Sequence, residues 1–169
     1  IQLLVFVIDS FAPGLRIVST GGSFHLALAD GQWYRLVTAN FIHLSLGHLL
    51  FNSFALIIFG PAMERMVGHV KFALFYVFAG ALANLFTYFT VSNLFYLQAG
   101  ASGAILAILG FYVYIGRFRR TLMLSQDARL VYIFVAISAV FTLIGSNVSL
   151  WGHVYGFLAG FLLAIPLSR

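Results

Sequence analysis

Long apolar runs separated by short polar segments dominate the pattern of the chain. A run over residues 1–11 is followed by five more, at about residues 36–59, 70–91, 101–116, 130–145 and 150–167. A helix needs about 20 apolar residues to cross a bilayer, so the fourth and fifth of these six runs are short. The ten-residue alternation typical of a membrane β-barrel is absent from the sequence. The pattern therefore predicts an all-α membrane protein, a bundle of six transmembrane helices.

The opening run, residues 1–11, is too short to cross a bilayer alone. It lacks the basic start and the small-residue cleavage site of a signal peptide. We interpret it as the C-terminal part of a first span that is incomplete in this chain. A loop is expected over residues 12–33, where Pro13 and several glycines stand. The whole chain, residues 1–169, is predicted to form a single transmembrane domain.

Composition agrees with a membrane protein and removes several other classes. Hydrophobic residues make up 62% of the chain and charged residues only 8%, whereas about a quarter of the residues in soluble domains are charged. The chain has no cysteine, which excludes disulfides and thiolate chemistry. The nine basic residues give a net charge of +5 but form no basic stripe, so no nucleic-acid partner is expected.

The basic residues predict how the chain is oriented in the membrane. If six spans alternate in direction, the connections after the second and fourth spans share one side with the C-terminus. Seven of the nine basic residues fall in these regions: Arg65, Lys71, Arg117, Arg119, Arg120, Arg129 and Arg169. By the positive-inside rule this side is cytoplasmic. The segments that lead into the fourth and sixth spans then face outward.

A few polar residues stand inside the apolar runs, where an unpaired polar group is costly. His48 and Asn52 are four apart in the second run, so they share one helix face. Ser102 and His153 stand near the outer starts of the fourth and sixth runs. These side chains are predicted to converge in the outer half of the membrane. Asn52 lies about halfway along its run, so this convergence requires the second helix to begin higher in the membrane.

These residue types can support the chemistry of a serine nucleophile. Ser102 at a helix start lies beside backbone N–H groups that lack an intrahelical partner, that of Gly103 among them. Such groups can stabilise an oxyanion, and Asn52 and His48 can add donors from the second helix. His153 is predicted to be the general base that takes the Ser102 proton.

The acidic residues favour a Ser–His dyad over a triad with a carboxylate. The chain has four of them: Asp9, Asp30, Glu64 and Asp127. Two lie in the first span and first loop, and two on the predicted cytoplasmic side, so none is expected beside the histidine. Packing against neighbouring aromatic groups, such as Tyr155 or Tyr112, would then have to hold the imidazole of His153.

These motifs resemble those of the rhomboid family of intramembrane serine proteases. The resemblance covers about residues 32–169 and rests on His43, His48 and Asn52, on Gly100-Ala101-Ser102-Gly103, on Gly152-His153 with Gly156 and Gly160, on Tyr34-Arg35 and on Glu64-Arg65. It implies a bacterial-type core of six spans, with Ser102 as nucleophile, His153 as base, and His48 and Asn52 as oxyanion support. It also implies cleavage of the transmembrane segments of other proteins near the outer surface of a bacterial inner membrane, without a cofactor.

Two positions depart from the family pattern. Tyr34 stands where the family usually has tryptophan, which concerns the packing of the first loop. Leu106 stands one turn after Ser102, where some relatives carry an aromatic residue against the histidine. The support of the predicted base is therefore expected to differ in this chain.

Other interpretations of single residues remain open. His43 is as consistent with a structural hydrogen bond as with catalysis, and Asn84 is most simply a contact between helices. Glu64 with its neighbouring arginine is typical of an interfacial ion pair or of a contact at a helix end. His25 and His69 lie in predicted loops and are expected to be solvated. The glycines of the sixth span predict close packing against Gly103 and Ala107 of the fourth.

Three other functions compete with proteolysis. An inactive rhomboid-like binding protein would lose the serine or the histidine, and both are present. A small transporter would favour internal repeats and an intramembrane ionisable residue, for which only histidines qualify. A zinc site formed by His43, His48 and His153 would lack the glutamate of the His-Glu-x-x-His motif, so no metal is expected.

Overall fold

The computed structural model describes residues 1–119, 125–144 and 148–168, and within these ranges the chain is mainly helical. The helices are α1 (Gln2–Phe11), α2 (Ile17–Gly21), α3 (His25–Ala29), α4 (Arg35–Thr38), α5 (Leu46–Val67), α6 (His69–Thr90), α7 (Ser102–Phe118), α8 (Ser125–Ile144) and α9 (Leu150–Leu167). Strands β1 (Ser23–Phe24) and β2 (Leu97–Gln98) form an antiparallel pair, and 3-10 turns cover Pro13–Leu15 and Ala39–Phe41.

Within the described residues, α5, α6 and α9 are long and apolar enough to cross a membrane by length and composition. The apolar helices α1 and α7, and residues 129–144 of α8, are shorter. A helical membrane protein, as predicted, is therefore confirmed. The predicted third, fourth and sixth runs closely match α6, α7 and α9. The predicted fifth run corresponds to α8, which begins earlier than predicted, at Ser125. The predicted end of this run, Gly145, lies outside the described residues.

The predicted limits of the second run are wrong. Residues 36–59 do not form one helix, because α4, a 3-10 turn and an extended segment precede α5. Ser45 stops the preceding segment and caps α5, since its hydroxyl accepts the His48 N–H at 3.2 Å. Hydropathy does not reveal this break, because the residues around it remain apolar. His48 becomes the third residue of α5 and Asn52 the seventh, so both stand near the helix start.

Helix α7 forms the centre of the bundle. Ten of its 17 residues are buried, and it contacts α5, α6, α8 and α9. Its largest fully buried side chains are those of Ile108, Leu109, Phe111 and Ile115. Because neighbouring helices shelter it, this short helix does not need the length of a lipid-exposed span.

Small residues allow α7 and α9 to approach closely. A methyl group added at Gly156 would collide with the Gly103 carbonyl, and one added at Gly160 would collide with the Ala107 carbonyl. Backbones can meet at this distance only where side chains are absent or small. The predicted packing of the glycine stripe on α9 against α7 is thus confirmed.

The segment between α1 and α5 packs against the loop that precedes α7. Through the β1–β2 pair, Ser23 lies opposite Gln98. His25 is 1% exposed, so the prediction that it is solvated is wrong. Its Nδ1 contacts the Val91 carbonyl at 3.2 Å, and its ring packs edge-on against Tyr88. Burial lowers the pKa of His25.

Arg35 organises this first segment from inside. Its guanidinium is buried and donates to Gln32 Oε1 at 2.8 Å, to the Ser19 carbonyl at 2.8 Å and to the Gly22 carbonyl at 2.9 Å. A charge-assisted donor that serves three acceptors can hold a segment with little regular structure. The Tyr34 hydroxyl adds a contact to the Thr20 carbonyl at 3.2 Å.

Buried polar side chains also join the helices. Asn84 of α6 donates to the Leu36 carbonyl at 2.8 Å and to Asn40 Oδ1 at 3.3 Å, which confirms the contact expected of it. Gln2 of α1 donates to the Tyr76 hydroxyl at 2.5 Å. These bonds satisfy polar groups that would otherwise be unpaired in an apolar interior.

The described basic residues of the predicted cytoplasmic side share one end of the bundle. They lie at or next to the ends of α5 and α7 and the starts of α6 and α8: Arg65, Lys71, Arg117, Arg119 and Arg129. Arg120 and Arg169 lie outside the described residues, as does the side chain of Asp127. His69 is exposed, as expected, and its Nδ1 pairs with Glu64 at 2.6 Å. Glu64 thus makes a contact at the end of α5, with His69 of α6 as its partner.

Candidate active site

Ser102 is the first residue of α7 and is half-buried. The first hydrogen bond of the helix runs from the Ile105 N–H to the Ala101 carbonyl at 2.9 Å. The N–H groups of Ser102, Gly103 and Ala104 therefore have no intrahelical partner. Partial positive charge at a helix start favours a nearby anion. The Ser102 hydroxyl thus stands where an oxyanion formed on it would be stabilised.

His48 reaches the loop just before Ser102. Gly100 has a φ of +133°, and a Cβ built on it would lie 2.5 Å from Cε1 of His48. Only glycine allows both this conformation and this close approach. The Gly100 N–H donates to the Ala39 carbonyl at 2.9 Å, which holds the loop in place.

His43 connects Asn52 to the start of α7. Its Nε2 lies 2.9 Å from Nδ2 of Asn52 and 3.5 Å from the Ala101 nitrogen. Both partners are donors, so Nε2 accepts and the imidazole proton lies on Nδ1. The rings of His43 and His48 are packed edge to face with centroids 5.1 Å apart. Of the two interpretations left open for His43, this geometry favours the structural hydrogen bond.

His153 lies in the first turn of α9. Ser149 caps this helix, since its hydroxyl accepts the Gly152 N–H at 3.0 Å. Nδ1 of His153 lies 2.5 Å from the Thr142 hydroxyl of α8. An imidazole bonded through Nδ1 has Nε2 available for another partner.

The hydroxyls of Tyr155 and Tyr112, whose rings are predicted to pack against His153, are hydrogen-bonded to other residues. The Tyr155 hydroxyl pairs with Thr90 at 2.7 Å, and the Tyr112 hydroxyl donates to the Phe59 carbonyl at 2.9 Å. The imidazole of His153 is instead hydrogen-bonded to Thr142, a residue that the sequence pattern did not single out. Its signal is a pair of polar residues four apart, Ser138 and Thr142, in an otherwise apolar run.

Gln98 is a second residue that the apolar pattern does not single out. It is buried, and its Nε2 donates to the Ser149 hydroxyl at 3.1 Å. This bond joins the loop before α7 to the cap of α9. The available signal is a long polar side chain in an uncharged loop, which by itself indicates nothing about its partner.

The backbones of α7 and α9 meet beside the two predicted catalytic residues. A Cβ built at Gly103 would lie 3.5 Å from the Gly152 carbonyl. Gly103 follows Ser102 and Gly152 precedes His153, so both residues stand at the same end of one helix contact. Among the described residues the Ser102 hydroxyl makes no hydrogen bond. Such bonds are often long before a substrate binds. The catalytic and oxyanion roles of these residues stay predictions.

Comparison with known proteins places this arrangement in a family. The rhomboid domain model matches residues 30–169. YdcA of Bacillus subtilis (strain 168), which is named as a rhomboid protease, is 37% identical over 141 residues, or 83% of this chain and 70% of YdcA. The rhomboid protease GlpG of Haemophilus influenzae is 27% identical over 135 residues, or 79% of this chain and 69% of GlpG.

The rhomboid protease GluP of Bacillus subtilis is 33% identical over 172 residues, which cover 99% of this chain. The chain spans only 33% of the length of GluP. The fold and the site together define a helical membrane protein whose polar residues meet at one end of the bundle. With the family model matched over most of its length, the chain belongs to the rhomboid family, a family of membrane proteases. The resemblance found in the sequence is confirmed.

Proposed function

We propose that this protein is an intramembrane serine endopeptidase that cleaves peptide bonds in or near the transmembrane segments of other membrane proteins. The observation that carries the proposal is the meeting of the starts of α5, α7 and α9, which bear His48, Ser102 and His153. Relatives named as rhomboid proteases support the same function. The proposed reaction uses no cofactor or metal.

Ser102 is the proposed nucleophile and His153 the proposed general base. The Ser102 oxygen attacks the carbonyl carbon of the scissile peptide while Nε2 of His153 takes the hydroxyl proton. The tetrahedral intermediate collapses, the C–N bond breaks, and the leaving amine takes the proton from His153. Water then hydrolyses the acyl-serine by the same route. Within the described residues, Nδ1 of His153 bonds to a hydroxyl and not to a carboxylate, which supports a dyad.

Donors from two helices are proposed to stabilise the oxyanion. The N–H group of Gly103 lies at the start of α7, and the imidazole of His48 lies against the loop before it. Asn52 uses one proton of its amide group for His43, which leaves the second for the substrate. Loss of one such donor typically lowers kcat by about 10²- to 10³-fold.

The proposed architecture is the six-span bundle of a bacterial-type rhomboid core, a single domain over residues 1–169. The basic residues at the ends of α5 and α7, opposite Ser102, support a cytoplasmic C-terminus and a site that opens outward. Bacterial relatives support a location in the bacterial cell (inner) membrane. Membrane lipids and transmembrane substrates are the proposed partners.

The test is cleavage of a transmembrane substrate with a destabilised helix by the purified protein in detergent. Ser102→Ala is expected to lower the rate at least about 10³-fold, because the nucleophile is removed. Ser168→Ala, at the opposite end of the bundle, is the matched control and should cleave at the wild-type rate. Circular dichroism should show the same helicity in all three proteins. Undiminished cleavage by Ser102→Ala would contradict the proposal.

An inactive rhomboid-like binding module is the second candidate. The observation that favours it is the missing hydrogen bond of the Ser102 hydroxyl among the described residues. Under this alternative, the wild-type protein would retain a transmembrane segment in a pull-down without cleaving it. A fluorophosphonate probe, which reacts with activated serines, would then fail to label Ser102. The proposed protease should be labelled, and Ser102→Ala should not.

A further inference from the structure

We propose that Thr142 of α8 is a positioning residue that fixes the protonation pattern of His153. This inference rests on the proposed function, in which His153 is the general base. Thr142 and Ser138 are both buried and lie one turn apart on the same face of α8. They form the polar part of this helix that meets the start of α9.

The direction of each hydrogen bond follows from the protons available. The Thr142 hydroxyl lies 2.6 Å from the Ser138 carbonyl, which can only accept, so the hydroxyl donates its proton there. A hydroxyl has one proton, so toward Nδ1 of His153 at 2.5 Å it can only accept. Nδ1 of the neutral imidazole must therefore carry the proton. Nε2 is left with the lone pair that a base for Ser102 needs.

This arrangement orients the imidazole of His153 as the carboxylate of a triad would, but without a charge. During proton transfer from Ser102 the imidazole becomes positive, and the Thr142 oxygen continues to accept from Nδ1. A carboxylate in this place would be costly in an apolar membrane interior, whereas a hydroxyl is not. Because Thr142 is on α8 and His153 on α9, the two helices must keep their relative position for the base to stay oriented.

The first measurement is the kinetics of cleavage by Thr142→Val, which keeps the shape of the side chain and removes the hydroxyl. We expect kcat to fall about 10- to 100-fold with KM nearly unchanged, as is typical when a residue that orients a catalytic group is lost. Thr142→Ser restores the hydroxyl and should recover most of kcat. The rate of labelling by a fluorophosphonate probe should fall with kcat, because it depends on the same base.

The matched control is Thr87→Val. Thr87 is fully buried in α6 and its hydroxyl donates to the Ala83 carbonyl at 2.8 Å, as Thr142 donates to Ser138. This variant loses the same intrahelical bond without touching His153, so its kcat should stay at the wild-type value. If Thr142→Val cleaves as fast as Thr87→Val, the inference is overturned while the proposed function stands.

A second measurement does not depend on activity. In protein labelled with ¹⁵N-histidine, the signals of His153, assigned by their loss in His153→Ala, should show a neutral ring protonated at Nδ1. Thr142→Val should give a mixture of both tautomers, and Thr87→Val should not. A wild-type ring protonated at Nε2 would refute the inference, even in a protein that shows no cleavage at all. Failure of the proposed function alone would leave this spectrum unchanged.

Discussion

The α5 side and the α9 side of the site are built in different ways. On the α5 side, His43 and Asn52 are 3% and 2% exposed, and His43 bonds to Asn52 and to the backbone before Ser102. On the α9 side, His153 is half-buried and its Nδ1 is hydrogen-bonded to the hydroxyl of Thr142. The donors proposed for the oxyanion are therefore fixed by a network, and the proposed base by one bond from another helix.

This difference indicates which part of the site can move without loss of the fold. A buried network loses several bonds at once when one member is removed, so it is rigid and its loss affects folding. A half-buried imidazole with one hydrogen-bond partner among the described residues can reorient at less cost to the fold than a member of such a network. We therefore expect substitutions on the α5 side to change stability and activity together, and those on the α9 side to change activity alone.

The largest difference between the effect on activity and the effect on stability is expected for His153→Ala. Cleavage should fall about 10²- to 10⁴-fold, the contribution of a general base, because no other imidazole is expected to take its place. The midpoint of thermal unfolding should stay near that of the wild type, since the helix cap at Ser149 is unchanged. Cleavage is measured with the detergent assay and unfolding by circular dichroism. His69→Ala, an exposed site, is the control for removal of an imidazole.

A large fall in the unfolding midpoint of His153→Ala would contradict the expectation that substitutions on the α9 side change activity alone. It would mean that this histidine is part of the packing and not only of the site.

His43→Leu should affect both quantities. The substitution leaves the Asn52 amide and the Ala101 N–H without their acceptor, and each buried unpaired group costs about 1–3 kcal/mol. We expect a fall of several degrees in the unfolding midpoint, and about a 10²-fold loss of kcat because Asn52 is no longer held. Both are measured on the same preparation of protein.

His25→Leu is the control for His43→Leu, since His25 is equally buried but lies in the first loop segment. It should lower stability while the kcat of the folded fraction stays within a few-fold of the wild type. Equal losses of kcat in the two variants would show that the contact between His43 and Asn52 has no special importance for the site.

The smallest effect is expected for Gln98→Leu, which cuts the bond between the loop before α7 and the cap of α9. Ser149 still caps the helix through the Gly152 N–H, so kcat should fall only about 2- to 10-fold, the effect of one neutral hydrogen bond of roughly 1 kcal/mol. The measurement is kcat at saturating substrate. A loss of kcat as large as that of His43→Leu would show that this bond belongs to the rigid network.

Much of the helical framework could be predicted from the sequence. The run at residues 150–167 coincides with α9, and the glycines of α9 do pack against Gly103 and Ala107. Both predictions follow from signals that are strong within one segment, a long apolar run and regularly spaced small residues. The placement of His48, Ser102 and His153 near helix starts at one end of the bundle follows from the alternation of the spans.

The rest depends on contacts between distant segments, which a single sequence does not show. The break before α5 depends on Ser45 and on turns formed by mainly apolar residues, so hydropathy does not reveal it. The burial of His25 depends on a carbonyl 66 residues away. Thr142 is 11 residues from His153 and on another helix, so only the packing of α8 against α9 reveals their contact.

The link between β2 and α7 is short. Its number of residues is therefore as restricted as the identity of those residues. Strand pairing fixes Gln98, and α7 begins at Ser102, so only residues 99–101 lie between them. One inserted or deleted residue would turn the start of α7 by about 100°, the rotation per residue of an α-helix. The direction of the Ser102 hydroxyl relative to α9 would then change even though every residue of the site was still present. Insertions in residues 99–101 should therefore be rejected.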